Sequence, residues 1–167
     1  MTKELIEQLP TDFSPTSRVW VFQSNRPFSE KEELEINEQL YNFYVQWQSH
    51  GNDIKGWAKL LYRQFVVVMA DETASGVSGC STDSMTRIIK SLERQYSVNF
   101  FDRMTITFLV DGKAEGLPMN QVSYALQNGY LETDTPLFNN LVDTKEKLEN
   151  EWLIPLNESW LWNRIAN

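Results

Sequence analysis

Phe65-Val-Val-Val-Met-Ala70 decides the fold: it is apolar on both faces and rich in β-branched residues. A strand of this texture is covered from both sides, so it lies inside a sheet rather than at its edge. Just before it, Trp57-Ala-Lys-Leu-Leu-Tyr62 reads as a second strand. Only Arg63-Gln64 separate the two, which predicts a tight hairpin. Further out, Arg18-Val-Trp-Val-Phe-Gln23 is again apolar on both faces and reads as a central strand.

Helical patterns fill the gaps between these strands. Pro27-Phe28 break the first strand, Ser29 is an N-cap, and Glu32 three residues on completes a capping box, with Glu30 and Glu33 favouring the helix dipole. Ile36, Leu40, Phe43 and Trp47 follow on one helical face, widened by Tyr41 and Tyr44, and His50-Gly51 is the expected end. Beyond Ala70, Asp71–Thr82 is a Gly- and Ser-rich loop, and Asp83 or Ser84 is the expected cap of the next helix. That helix carries Met85, Ile88, Ile89, Leu92 and Tyr96 as an apolar stripe. Met104 to Val110 then alternates, with Met104, Ile106, Phe108 and Val110 on one face, and stops at Asp111-Gly112.

The order is β-α-β-β-α-β over residues 18–110, which predicts an α+β fold with a ferredoxin-like antiparallel sheet. Residues 1–17 form an N-terminal arm: Leu5, Ile6 and Leu9 make a short helix or a flexible segment, and Pro10 and Pro15 bracket a linker. Residues 111–167 form a helical, Trp-rich C-terminal extension packed on the core. Within it a helix is expected from Pro118 or Asn120 to Asn128-Gly129, a short strand within Tyr130–Phe138, and a helix over Lys145–Glu151 capped by Asp143 or Thr144. Two helices cover only one face of the sheet, and the other would exceed the ~300–600 Å² apolar patch of ordinary monomers. The stretch Trp152–Trp162 is the expected cover, with a second subunit of a homodimer the alternative.

Composition narrows the function. The chain has 167 residues, with 15 Lys and Arg against 23 Asp and Glu and a net charge of −8. This opposes a nucleic-acid partner, which calls for a basic patch, and docking on an anionic membrane. No run of ~18 apolar residues suits a membrane span. The first fifteen residues lack the apolar stretch of an export signal, and one Cys suits a reducing compartment, so a cytoplasmic location is expected. With one Cys and one His there is neither a disulfide framework nor a two-histidine zinc site, and neither metal nor cofactor is expected.

Under the ferredoxin-like topology the end of the first helix, the end of the strand 65–70 and the start of the second helix share one sheet edge. That edge gathers His50, Asp71 and Cys80. In the catalytic reading Cys80 is a nucleophile beside a helix N-terminus, His50 its base and Asp71 the group that orients the base. In the packing reading, which single-cysteine signals favour, Cys80 belongs to a tight turn against the sheet. Gly79, Ser81 and Thr82 are candidates for an anion nest at the same helix start, opposed by the neighbouring acids. Asp71, Glu72 and Asp83 lack the spacing of a cation site and read as caps and turn residues. At the opposite edge Asp102-Arg103 reads as an ion pair that holds its loop. Trp20 and Phe22 on the first strand read as core.

The stretches His50-Gly51, Asp71-Glu72, Ser78-Gly79-Cys80-Ser81-Thr82-Asp83, Phe101-Asp102-Arg103, Phe138-Asn139-Asn140 and Ser159-Trp160 resemble a family of small uncharacterised bacterial proteins, some of which carry the label "ABC transporter ATPase". That label requires a G-x-x-x-x-G-K-[ST] loop to hold the phosphates. No such loop occurs, the one Gly-Lys being Gly112-Lys113-Ala114. The resemblance therefore implies a coherent fold and no ATPase chemistry. The expectation is a cytoplasmic, non-catalytic binding or interaction module, and the alternative a small enzyme using Cys80 with His50.

Overall fold

In the computed structural model, which describes residues 3–166, the elements in chain order are α1 (Lys3–Ile6), β1 (Arg18–Gln23), α2 (Glu30–Tyr44), β2 (Gln48–Ser49), β3 (Asn52–Asp53), β4 (Lys55–Leu61), β5 (Phe65–Asp71), α3 (Gly79–Tyr96), β6 (Thr105–Val110), β7 (Lys113–Pro118), α4 (Val122–Gln127), β8 (Pro136–Phe138), α5 (Lys145–Glu151), β9 (Leu153–Pro155) and α6 (Trp162–Ile165). The fold is mixed α+β with antiparallel sheets.

β5 is the middle strand of the first sheet, whose order is β1-β5-β4, and all seven of its residues are buried. It pairs antiparallel with β1 from Arg18↔Ala70 to Gln23↔Phe65, and with β4 from Lys55↔Asp71 to Leu61↔Phe65. The hairpin is closed by Tyr62-Arg63-Gln64, one residue more than expected, because Tyr62 and Arg63 both take left-handed backbone at φ 52°.

The alternating side chains of β5 feed two separate cores. Val66, Val68 and Ala70 face α2 and α3, where they meet Ile36, Leu40, Met85, Ile89 and Leu92. The Ser29–Glu32 capping box starts α2 as the sequence predicts. The helix ends at Tyr44, however, and not at His50-Gly51, which instead form the two-residue turn of the β2–β3 hairpin. Both residues have positive φ, 50° and 80°, the geometry such a turn demands. Trp47 lies between helix and hairpin, buried, and its indole N–H donates to the Ser81 carbonyl at 2.9 Å, which ties this corner to α3.

α3 begins earlier than expected. Its cap is Ser78, not Asp83 or Ser84: the Ser78 hydroxyl accepts the Ser81 N–H, and the Ser81 side chain reaches back to the Ser78 N–H. Two serines three apart thus satisfy two backbone donors of this helix start before the first acid is reached.

Phe65, Val67 and Met69 face the other way, against Leu5, Leu9 and Phe13 of the N-terminal segment and Phe138, Val142, Leu148 and Trp152 of the C-terminal one. Lys55 fastens the N-terminal segment, bonding the Asp12 carbonyl and lying 3.8 Å from the Asp71 carboxylate and 4.8 Å from the centre of the Phe13 ring. Lys145 adds a buried bond to the Phe13 carbonyl at 3.1 Å.

The four-stranded ferredoxin-like sheet is not formed. The strand expected beside β1 is β6, and it lies in a second sheet of order β7-β6-β8-β9 with its own core around Phe108, Val122, Leu137 and Leu161. The free edge of β1 is already engaged. Val19 donates to the Asp143 carbonyl at 2.9 Å, Arg18 bridges Thr144, and the far end bridges Phe101 through Gln23. β6 finds a nearer partner in β7, joined by a two-residue Asp111-Gly112 turn with six paired residues on each side. A local hairpin closes a far shorter loop than a return to β1 would. The C-terminal stretch, expected as helical apart from one short strand within Tyr130–Phe138, supplies that strand as β8 and adds β7 and β9 beside α4, α5 and α6. Among the described residues no helix is long and apolar enough to cross a membrane.

Candidate ligand-binding cleft

The residues singled out in the sequence do not act together. His50 is exposed at the tip of the β2–β3 hairpin, and Cys80 is exposed at the second residue of α3. Asp71, at the end of β5, is buried and committed elsewhere: its carboxylate accepts the Ser14 N–H at 2.9 Å and the Thr73 N–H and hydroxyl at 3.1 and 2.8 Å. These donors, the Ser14 N–H above all, hold its carboxyl below the ordinary range. Among the described residues no hydrogen bond or ion pair joins His50, Asp71 and Cys80. The hydroxyls of the anion-nest candidates are also spent, since Ser81 donates to the Ser78 carbonyl at 2.8 Å and Thr82 to the Gly79 carbonyl at 2.8 Å, while Gly79 stands in open space. Among the described residues no group of three or more His, Cys, Asp or Glu side chains could hold a metal ion.

The geometry draws attention to the seam between the two sheets. There the end of β1, the 101–107 segment, the end of β8 and the C-terminal turn enclose a cleft of about 560 Å³. Its floor is a polar network. Gln23, 4% exposed, donates from Nε2 to the Thr105 carbonyl at 3.1 Å. Its Oε1 accepts the Thr107 hydroxyl at 2.8 Å and Asn140 Nδ2 at 3.1 Å, and Asn140 Oδ1 accepts the Trp152 indole N–H at 3.0 Å. β1 positions Gln23 as its last residue, β6 positions Thr107, and Trp152 at the end of α5 anchors Asn140 from below.

The wall is charged and aromatic. Asp102 turns the chain into β6, its carboxylate accepting the Thr105 hydroxyl at 2.6 Å and the Met104 N–H at 2.8 Å. The Thr105 hydroxyl, helped by that backbone N–H, pulls the Asp102 carboxyl below its ordinary value. Asp102 does not pair with Arg103, whose exposed side chain has no hydrogen-bond or carboxylate partner among the described residues and lines the cleft. Arg164 lines it too, its guanidinium 5.3 Å from the centre of the Trp160 ring. Phe22 and Phe101 meet edge to face at 5.6 Å. Trp160, Phe101 and Leu141, respectively 40%, 41% and 78% exposed, gather at the mouth. Exposed apolar side chains clustered beside a polar floor are the usual anatomy of a small-molecule site.

A second groove of about 450 Å³ runs between β7 and α4, past the exposed Tyr124 and Tyr130, but its one charged side chain is Glu115. Comparison with protein-family models, with curated proteins and with solved structures gives no match.

Sequence reasoning touched the cleft without assembling it. Asp102-Arg103 reads as an ion pair from adjacency alone, and Gln23 and Thr107 carry no motif. Phe101, Asp102 and Arg103, Phe138 and Asn140, and Trp160, far apart in the chain, are brought together here.

Proposed function

We propose that this protein is a non-catalytic binding module whose small-molecule ligand seats in the cleft between the two sheets. The observation that carries this reading is the built polar floor of Gln23, Thr107 and Asn140 beneath an apolar mouth. The same network that joins the two sheets lies beside the apolar Phe22, Phe101 and Trp160, which places polar and apolar groups together at one cleft. The enzyme alternative lacks its orienting acid, because the Asp71 carboxylate serves the N-terminal segment. The acidic composition supports a module that takes neither nucleic acid nor an anionic membrane, and the single cysteine suits a reducing, cytoplasmic setting. Kinship with the small bacterial proteins that the chain resembles belongs to the same proposal.

A fragment screen followed by amide and indole NMR signals tests it. Binders should perturb the Trp160 indole N–H and the side-chain amides of Gln23 and Asn140, and blocking Cys80 with iodoacetamide should leave their affinity unchanged. Binders that cluster on His50 and Cys80, or a screen with none at the cleft, would refute the reading.

A further inference from the structure

We infer that the ligand taken by this cleft is an organic anion with a flat apolar body, its acid group seated between Arg103, Arg164 and the amide floor. The inference rests on the binding reading above and deepens it. Each side-chain amide has two N–H donors. Gln23 and Asn140 each spend one, on the Thr105 carbonyl and on Gln23 Oε1. One N–H of each remains.

The acceptors are fewer. Gln23 Oε1 is filled by two bonds, while Asn140 Oδ1 and each Asp102 oxygen take one bond and keep one lone pair each. To the spare amide donors the walls add two guanidiniums, Arg103 and Arg164, neither of which has a carboxylate partner among the described residues. A cleft whose spare donors outnumber its spare acceptors favours a ligand rich in acceptors. Guanidinium groups bind carboxylate and phosphate through paired, charge-assisted bonds.

The chain's net charge of −8 sharpens the point. The lining sets Arg103 and Arg164 against Asp102, one positive charge in excess on an otherwise acidic chain, so an anion is favoured there over its surroundings. The apolar body is specified by the walls. Phe22 and Phe101, packed edge to face, are among the lining residues, and Trp160 and Leu141 leave apolar surface open at the mouth. About 560 Å³ holds a two-ring body with its acid group. Carboxylate and phosphate monoester share the required chemistry, and the test separates them.

The full chain is titrated, by NMR, with 2-naphthoate, 2-naphthyl phosphate and the neutral 2-naphthamide. At least one anion should shift the Trp160 indole and the Gln23 and Asn140 amide signals and bind ~10-fold or more tighter than the amide, as charge-assisted bonds allow. The tighter of the two anions names the acid. Arg103→Gln and Arg164→Gln, at exposed positions that should not disturb the fold, should each weaken the anions ~10-fold and leave the amide unchanged, and 0.5 M salt should weaken only the anions. An amide that binds the cleft as tightly as the anions would overturn the anionic class while leaving the cleft as a binding site. Failure of all three probes to move the cleft signals would also overturn it, and the fragment screen then decides the binding reading by itself.

Discussion

Thr107 donates its hydroxyl to the side-chain carbonyl of Gln23 at 2.8 Å, and both residues are buried. This bond joins the last residue of β1 to the middle of β6, so the two sheets meet through a polar contact rather than a shared ladder.

The seam should behave as a coupled pair. Thr107→Val should cost about 1 kcal/mol as a lost buried hydrogen bond, and Gln23→Leu more, since it also strands Asn140 Nδ2 and the Thr105 carbonyl. A double-mutant cycle in urea should give a coupling near ~1 kcal/mol. Strict additivity would mean that the bond contributes nothing to the seam.

A second prediction concerns Gly56. A Cβ added there would stand 2.8 Å from Trp47 Cε3, in a ring pinned by its bond to Ser81. Gly56→Ala should cost about 1–3 kcal/mol as overpacking. Combined with Trp47→Ala, itself a loss of about 3–5 kcal/mol, it should add almost nothing. Equal costs of Gly56→Ala in the two backgrounds, read from denaturant midpoints, would place the strain elsewhere.

Acid should weaken the start of α2. Glu32 is bonded at both oxygens by Arg26, at 3.1 and 2.9 Å, and accepts the Ser29 N–H at 3.0 Å. Arg26 first, then that N–H, lowers its carboxyl from 4.5 to about 2. A carboxyl lowered by folding contributes stability that is complete above the unfolded value and lost as pH falls through the folded one. Wild-type stability should therefore decline between about pH 5 and pH 2 more steeply than that of Glu32→Gln. At pH 7 the substitution should cost about 1 kcal/mol, because the pair is partly exposed and screened. Parallel stability curves for the two proteins would count against this role.

The last prediction addresses the N-terminal segment. Leu5, Leu9 and Phe13 cover Phe65, Val67 and Met69. Removing residues 1–13 should expose this face, lower the melting temperature and raise the binding of a hydrophobic dye. Lys55→Met should weaken the attachment while leaving the face covered, with a smaller loss. A truncated chain as stable and as dye-silent as the intact one would show that the cover is dispensable.

How much of this was legible in the sequence depends on the range of the forces involved. The strands at 18–23 and 65–70, the Ser29–Glu32 capping box and the helix over 145–151 are set by neighbours within a few residues and can be read directly, whereas β1, expected as a central strand, lies at the sheet edge because β6 pairs elsewhere. His50-Gly51 misled as a helix end, because positive φ serves a hairpin turn as well as a C-terminal cap, and only the pairing of Gln48 with Asp53 distinguishes them. The apolar texture of β5 determined that both faces must be covered. The identity of the covers was decided by tertiary packing: two helices on one side, and on the other the segments 5–13 and 138–153, so that of the expected cover Trp152–Trp162 only Trp152 and Leu153 lie on this face while Leu156 and Leu161 pack in the second sheet's core. The placement of β6 was decided the same way. Its alternation specifies a strand but not a partner, and the choice between β1 and β7 rests on which edge is free and how short a loop must close. The cleft lies furthest from the sequence, since Gln23, Thr107, Asn140 and Arg164 gain their joint meaning only because two sheets meet edge to edge and leave their polar side chains facing one another.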